Sequence, residues 1–272
     1  MGAPDRYAVI GHPVAHSKSP YIHAAFAAQT GQNLTYERLL APLDGFAAAV
    51  REFVEQGGKG LNVTLPFKLE AHALADTLTE RARAAGAVNT LKISDGLILG
   101  DNTDGVGLVT DIERNAALPL RGKKVLLLGA GGAARGAILP LLNACPASLT
   151  VANRTAAKAS SLVGEFAGHG NIVACDFGAL QGVFDIVINA TSASLDDHLP
   201  AVRPDIFDSA TLAYDMMYRK EPTVFMLFAA QHGAATRDGL GMLVEQAAES
   251  FFLWRGVRPD TAPVYAELRT KT

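Results

Sequence analysis

The chain carries only two cysteines, Cys145 and Cys175, in 272 residues. They lie far apart and match no metal-ligand spacing, which excludes a disulfide framework or a cysteine-built zinc site. They read as small buried hydrophobes in a reducing compartment. No block of lysine or arginine occurs, and the formal net charge is −3. Neither nucleic acid nor a membrane surface is therefore indicated as a partner. No apolar run approaches the length of a membrane span. Ala3-Pro4-Asp5-Arg6 interrupts any leader-like stretch, so no signal peptide is expected. The seven histidines form no metal set. His12 and His16 are four apart, but Pro13 puts them on a loop rather than one helix face, and no metal is expected. Internal repeats and low-complexity tracts are missing as well.

What is present is ample core. Hydrophobic residues make up 49% of the chain, and the length suggests about two domains. The most informative stretch runs from Lys123 to Gly136. Val125–Leu128 is a short apolar run of the kind found in a central parallel strand. Gly129, Gly131 and Ala134 then fit the spacing of a dinucleotide-binding turn, with Ala134 in the permitted third place. Gly129 allows the tight turn, Gly131 lets a pyrophosphate approach the backbone, and Ala134 lets the helix pack on the strand. The helix start, around Gly132 and Ala133, offers free amides to phosphate. On spacing alone the alternative is an ordinary tight strand-to-helix turn. A helix over Ala133–Leu142 and a second strand over Ser148–Ala152 supply the context that favours nucleotide binding.

The end of that second strand selects the cofactor. An NAD-binding fold carries a carboxylate there, about 20 residues on, for the ribose 2′-hydroxyl. Here the strand ends in Asn153-Arg154-Thr155, with Lys158 one turn later. Arg154 can fork onto a 2′-phosphate or stack on adenine, and Thr155 and Lys158 add hydrogen bonds and charge. The bland alternative is a solvated basic helix start. The pattern selects NADP.

Before this region, Tyr7–Ile10 reads as a strand followed by the polar loop His16-Ser17-Lys18-Ser19-Pro20. Ser19 fits an N-cap and Pro20 the first helical position of a helix to Gln29. Ser17 is left over from capping, so capping and anion binding both remain open for this loop. Leu34–Leu40 is a second strand, and Asp44 caps a helix to Glu55. Gly60–Thr64 is a third strand, after which Pro66 marks a helical turn containing Lys68. A cation is disfavoured at that end of a helix. Lys68 is thus either a solvated surface residue or one placed for proton transfer. Ser94-Asp95-Gly96 joins two strands as a hairpin and ends the sheet in an antiparallel pair. Asp104 is either a helix N-cap or a carboxylate aimed at a ligand. Further on, the strand Phe184–Ala190 runs into Thr191-Ser192, Leu212–Asp215 is another strand, and Thr223–His232 is a helix. Asp238-Gly239-Leu240-Gly241 leads into an amphipathic helix from Met242 to Arg255, with Gln246 beside its apolar stripe.

Several stretches together resemble the shikimate dehydrogenase family. They are Ser17-Lys18-Ser19-Pro20, Asn62-Val63-Thr64-Leu65-Pro66-Phe67-Lys68, Gly86-Ala87-Val88-Asn89-Thr90 and Gly100-Asp101-Asn102-Thr103-Asp104-Gly105. The glycine turn, Asn153-Arg154-Thr155, Asn189-Ala190-Thr191-Ser192 and the run from Asp238 to Ala247 complete them. The match extends nearly end to end. It departs at Ala193-Ser194-Leu195, where a serine-glycine turn is expected, and at Val224, where proline is expected.

The resemblance implies an α/β protein of two domains. A substrate domain with a mixed, mainly parallel sheet is built from 1–104 with 240–272, and a Rossmann-type NADP domain from 105–239, the two packed across a cleft. It implies NADPH-dependent reduction of 3-dehydroshikimate to shikimate, towards chorismate and the aromatic amino acids. Carried onto matching positions, Ser17 and Ser19 bind the substrate carboxylate. Thr64, Asn89, Asp104 and Gln246 hold ring hydroxyls around Lys68, and Tyr218 lines the site. Lys68 and Asp104 are the catalytic pair. The cofactor residues are Gly129, Ala130, Gly131, Gly132, Ala133, Asn153, Arg154, Thr155, Lys158, Thr191, Ser192, Met216 and Gly239. A cytoplasmic monomer or homodimer is expected. The rival readings are a quinate/shikimate dehydrogenase with relaxed substrate or NAD use, and a non-catalytic nucleotide sensor on the same fold.

Overall fold

The computed structural model describes residues 2–195 and 197–271. In chain order the elements are β1 (Asp5–Gly11), α1 (Ser19–Thr30), β2 (Leu34–Leu40), α2 (Phe46–Glu55), β3 (Gly58–Val63), α3 (Lys68–Leu74), β4 (Thr77–Leu78), α4 (Glu80–Ala85), β5 (Thr90–Ser94), β6 (Leu97–Asp101) and α5 (Asp104–Thr110). A π-helical turn over Asp111–Asn115 leads to β7 (Lys124–Leu128), α6 (Gly132–Asn143), β8 (Ser148–Ala152), α7 (Ala156–Gly164), β9 (Ile172–Cys175), β10 (Ile186–Asn189) and β11 (Leu212–Asp215). Last come α8 (Val224–Gln231), β12 (Ala235–Arg237), α9 (Leu240–Arg255) and α10 (Ala262–Lys271).

Contacts divide the chain into two compact units, Met1–Gly107 with Val244–Thr270, and Leu108–Leu243. The divisions fall within α5 and α9, a few residues beyond the expected boundaries at 104 and 239. Met1 and Thr272, both included in the expected substrate domain, lie outside the described residues.

The first unit is built on a six-stranded sheet in the order β2-β1-β3-β5-β6-β4. β2, β1 and β3 are parallel, β5 runs antiparallel to β3 and β6, and β4 pairs parallel with β6. The hairpin does not end the sheet, as the sequence suggested; the two-residue β4 does. A strand that short, packed between two helices, carries no periodic signal. Asp95 and Gly96 turn the hairpin with φ of 52° and 77°, the mirror-image turn that suits strand twist. The core of this unit includes Ile10, Phe46, Val50, Leu61, Phe67 and Leu91, all at or below 1% exposure.

The second unit holds a six-stranded, all-parallel sheet in the order β12-β11-β10-β7-β8-β9. Read from the β9 edge this is 3-2-1-4-5-6 within the unit, the doubly wound dinucleotide-binding order. Val125, Leu126, Leu127 and Leu128 are all fully buried, as expected where helices cover both faces. Tyr214 and Arg237 both reach the buried Asp111 carboxylate. Tyr214 donates to it at 2.8 Å, and Arg237 forks onto both oxygens at 2.7 and 2.6 Å.

Several local expectations need correction. The first residue of α1 is Ser19; Lys18 occupies the N-cap without a side-chain bond. Ser17 supplies the acceptor instead, taking the Ser19 amide at 3.3 Å. Gly45, not Asp44, precedes α2. Pro66 lies ahead of α3, behind a cis peptide bond, so Lys68 is the first helical residue. α9 starts at Leu240, whose amide Asp238 accepts at 3.3 Å. Cys145 is exposed and Cys175 half-buried. Cys145 sits at φ 57° in the turn after α6, with its Sγ 3.5 Å from the Asn143 carbonyl.

His23 is buried at 1% exposure, stacked on Tyr36 with ring centroids 4.2 Å apart. Its Nε2 lies 3.1 Å from Asn62 Oδ1, and its Nδ1 has no partner. Asn62 Oδ1 only accepts, so Nε2 carries a proton. Burial, opposed by the Asn62 bond, pushes its pKa down to about 3. Below pH 6.5 the unfolded chain takes up a proton that the folded chain refuses until about pH 3. This contribution to stability is therefore complete above pH 6.5 and declines as the pH falls through that window. His23→Gln should flatten the dependence of unfolding free energy on pH between 4 and 6.5 by up to about 1.4 kcal/mol per pH unit. Urea titrations across that range check it; an unchanged slope contradicts it.

Candidate active site

The first unit gathers its polar side chains at the carboxyl ends of β1 and β3. Ser17 and Ser19 open α1 after β1, and Thr64 and Lys68 follow β3, which pairs in parallel with β1. α5 delivers Asp104 from the other side of the sheet order. Lys68 Nζ donates to Asp104 Oδ2 at 2.5 Å, and both side chains are about a quarter exposed, at 29% and 24%. Asn89 Nδ2 donates to the other oxygen, Asp104 Oδ1, at 2.7 Å. Asp104 is thus not an N-cap. Its own amide donates to Asn102 Oδ1 at 3.2 Å, leaving the carboxylate free to hold Lys68 against the unfavourable helix end.

Asn89 is fixed in turn. Its Oδ1 accepts the Thr103 amide at 2.9 Å, and its Nδ2 also reaches Thr103 Oγ1 at 2.9 Å and Gln246 Oε1 at 3.4 Å. Lys68, Asn89, Asp104 and Gln246 therefore form one contact cluster, although they come from α3, the residue before β5, α5 and α9. Ser19 is buried at the start of α1, and Tyr36 donates to Asn62 Oδ1 at 2.7 Å. Ser17 and Thr64 follow the same strand ends, and among the described residues neither side chain bonds into this set. An ammonium, a carboxylate and two primary amides in one partly open cluster can bind a polyol and pass a proton to an oxygen.

In the second unit the carboxyl ends of β7, β8, β10 and β11 carry the remaining candidates. Gly129 takes φ 105°, and a Cβ there would sit 3.2 Å from Ala190 O. A Cβ on Gly131 or Gly132 would meet nothing within 4 Å, and α6 begins there without a side-chain cap. Over this helix start lies a cavity of about 300 Å³, lined by Ala130, Gly131, Gly132, Arg135 and Lys158 among others. Glu165 lines it too and takes both Arg135 nitrogens, so bare amides, room at the backbone and Lys158 are what fit a dinucleotide's phosphates. Ala133 belongs to the first turn of α6. Asn153 Nδ2 donates to Thr155 O at 3.0 Å, shaping the turn into α7. Arg154, Thr155 and Lys158 are exposed around that turn.

Thr191 follows β10, where its hydroxyl and amide both donate to Asn189 Oδ1, at 2.7 and 3.1 Å. Asn189 Nδ2 donates to Asp215 Oδ2 at 3.2 Å, and Asp215 Oδ1 accepts the Met217 amide at 3.1 Å. The fully buried Asn189 and Asp215 therefore shape the strand tips that carry Thr191, Ser192 and Met216. Sequence reasoning assigned them no role. The signal available was a polar residue closing each of two otherwise apolar strands. Tyr218, half-buried and with its pKa raised by burial, follows Met216 in this unit. Val224 stands where proline was expected, yet α8 is capped all the same, by Thr223 Oγ1 accepting from Met226 N at 3.2 Å. Ala193, Ser194 and Leu195 continue from Ser192 as one 3₁₀ turn. Among the described residues no His, Cys, Asp and Glu group could hold a metal, and no helix is long and apolar enough to cross a membrane.

A doubly wound nucleotide unit, joined to a second α/β unit holding a lysine–carboxylate–amide cluster, defines a dinucleotide-dependent oxidoreductase. The chain matches the profile of the shikimate dehydrogenase substrate binding domain over residues 9–91. It matches that of shikimate / quinate 5-dehydrogenase over 112–196, and that of the shikimate 5′-dehydrogenase C-terminal domain over 239–269. It is 67% identical over 267 residues to the shikimate dehydrogenase (NADP(+)) of Janthinobacterium sp. (strain Marseille), covering 98% of each chain. Among solved structures, an Ael1 enzyme from Pseudomonas putida matches with TM-score 0.93 and 52% identity, over 97% of this chain and 98% of that one. Shikimate 5-dehydrogenase from Thermus thermophilus, in complex with NADP(H) and shikimate, matches with TM-score 0.84 and 32% identity, over 98% of this chain and 100% of that one. The chain belongs to the shikimate dehydrogenase family.

Gly239 has a structural reason to be glycine, apart from any ligand. A Cβ there would lie 2.2 Å from the Met216 backbone oxygen. Gly239→Ala should lower the stability of the ligand-free protein by about 1–3 kcal/mol. Urea denaturation measures this, and an unchanged midpoint contradicts the close approach.

Proposed function

We propose that this chain catalyses the reversible NADPH-dependent reduction of 3-dehydroshikimate to shikimate, a step towards chorismate and the aromatic amino acids. The observation that carries this reading is the Lys68–Asp104–Asn89 arrangement, in a chain whose full-length relatives are NADP-dependent shikimate dehydrogenases. The first unit serves as the substrate domain and the second as the NADP domain. NADP, when bound, supplies the hydride chemistry.

The chain's own residues orient the carbonyl and provide the proton. Ser17 and Ser19 take the substrate carboxylate, with Thr64, Asn89, Asp104 and Gln246 on ring hydroxyls. Lys68 gives its proton to the carbonyl oxygen as alkoxide character develops, and Asp104 keeps the ammonium aimed there. Tyr218 is the further residue assigned to the substrate. The glycine turn from Gly129 to Ala133 takes the pyrophosphate. Asn153, Arg154, Thr155 and Lys158 take the 2′-phosphate and adenosine end, and Thr191, Ser192, Met216 and Gly239 the nicotinamide end. The exposed Arg154 and Lys158 side chains bring two cations to the turn where the 2′-phosphate lies. A cytoplasmic setting accords with two unpaired cysteines, and a monomer or homodimer without nucleic-acid or membrane partners accords with the near-balanced charge.

The profile matched over 112–196 covers quinate as well as shikimate enzymes, which favours testing quinate alongside shikimate, with NADP and NAD compared for each. Cofactor binding with no turnover on either acid would indicate the non-catalytic sensor instead.

Lys68→Ala should lower turnover about 10²–10⁴-fold while shikimate binding is mostly kept, as measured by cofactor absorbance and by titration. Near-normal turnover removes the proton-transfer role. Arg154→Asp should cut kcat/KM with NADP by about ten- to hundredfold, the loss of a charge-assisted contact, and affect NAD far less. An unchanged NADP/NAD ratio removes the cofactor argument.

A further inference from the structure

Behind the contact cluster lies a second layer of polar side chains. Thr90 and Ser250 are both fully buried, and Asn62 is 6% exposed. Thr90 Oγ1 donates to Asn89 Oδ1 at 2.9 Å and lies 2.8 Å from Ser250 Oγ. Ser250 Oγ accepts from Asn62 Nδ2 at 2.9 Å and shares its one proton between Thr90 Oγ1 and the Gln246 carbonyl, 3.0 Å away. Asn62 Nδ2 donates to Thr90 Oγ1 as well, at 3.1 Å. The orientation of the Asn62 amide is not arbitrary. Its oxygen lies on Tyr36 and His23, and its nitrogen on Thr90 and Ser250.

The donors consequently run one way: Tyr36 to Asn62, Asn62 to Thr90, Thr90 to Asn89, Asn89 to Asp104. Such a chain polarises each successive bond in the same direction. It holds the Asn89 amide with its oxygen inward and its nitrogen on Asp104. A reversed amide would set oxygen against carboxylate. Ser250 adds the link to α9. It stands one helical turn after Gln246, so the same hydroxyl that receives Asn62 also anchors the Gln246 backbone.

We propose that Thr90 and Ser250 are positioning residues for proton transfer, acting through Asn89 and Gln246 to fix Asp104 and thereby Lys68. This rests on the reading of Lys68 and Asp104 as the proton-transfer pair. Cores held by such networks lose geometry when one member is removed, and small misplacements at a reacting centre are expensive in rate.

The experiment compares Thr90→Val, which keeps volume and loses the hydroxyl, with Thr90→Ser, which keeps the hydroxyl and loses a methyl. Ser250→Ala and the double variant Thr90→Val/Ser250→Ala complete the set. Shikimate oxidation with NADP gives kcat and KM, and thermal unfolding gives Tm for each. Thr90→Val should lose about tenfold in kcat with little change in KM, and Thr90→Ser should retain kcat despite a lower Tm. The double variant should fall short of the product of the single effects, because both act on one network. Full kcat in Thr90→Val overturns the proposal, as does equal loss in Thr90→Ser, which would mean that the methyl matters. If Thr90→Val does not fold, Ser250→Ala decides: a kcat loss supports the proposal and wild-type kcat overturns it. Wild-type protein that does not oxidise shikimate sinks the underlying functional reading as well; active wild type with unaffected variants sinks only this inference.

Discussion

The Asp104 carboxylate receives one donor on each oxygen, Lys68 on Oδ2 and Asn89 on Oδ1, and the chemistry of the first unit follows from that division. One bond carries charge and can be exchanged for a bond to substrate. The other comes from a neutral amide whose opposite end is held by the Thr103 amide. A carboxylate shared in this way keeps its direction when the lysine turns towards another oxygen. A polar cluster in this position stays ordered only when every buried donor and acceptor has a partner. That requirement draws in residues from α3, β5, α5 and α9 and accounts for why a helix from the far end of the chain belongs to the N-terminal unit.

α9 is held there by more than its apolar face. Trp254 Nε1 donates to Leu91 O at 3.0 Å, and Arg81 bonds both Asp101 and Glu249. Asp101 is fully buried, so Arg81 is the charge that makes its burial tolerable. The same Asp101 accepts the Asn102 amide at 2.8 Å, which shapes the short segment leading to Asp104. Stability and site geometry are thus maintained by shared side chains. The second unit follows a different logic. Its parallel strands bury both faces in aliphatic side chains and gather backbone amides and small residues at their carboxyl ends.

Much of this was legible from residue order. The βα units, the glycine turn, the missing carboxylate after β8 and the Asp95-Gly96 hairpin all depend on local backbone preferences, which neighbours in sequence express directly. The failures are equally physical. β4 and β12 are strands of two and three residues, defined by the partner beside them rather than by any pattern of their own. The caps at Asp44 and Ser19 went wrong because several polar residues stood at each helix start, and only the path of the chain decides which one meets an amide. Cys145 was read from the average behaviour of its residue type, while its actual turn faces solvent.

By itself the sequence determined which residue types are available and in what local frame: the strand–glycine–helix turn, a lysine opening a helix, a carboxylate opening another, and a basic turn where NAD-binding folds place an acid. Tertiary structure alone decided that Lys68, Asn89, Asp104 and Gln246 meet, and that Thr90, Ser250 and Asn62 stand behind them. The reason is range. Backbone conformation is set by the nearest few residues, whereas the partner of a buried polar group is set by sheet order and by which distant helix is packed against it, and neither is written at any one position in the chain.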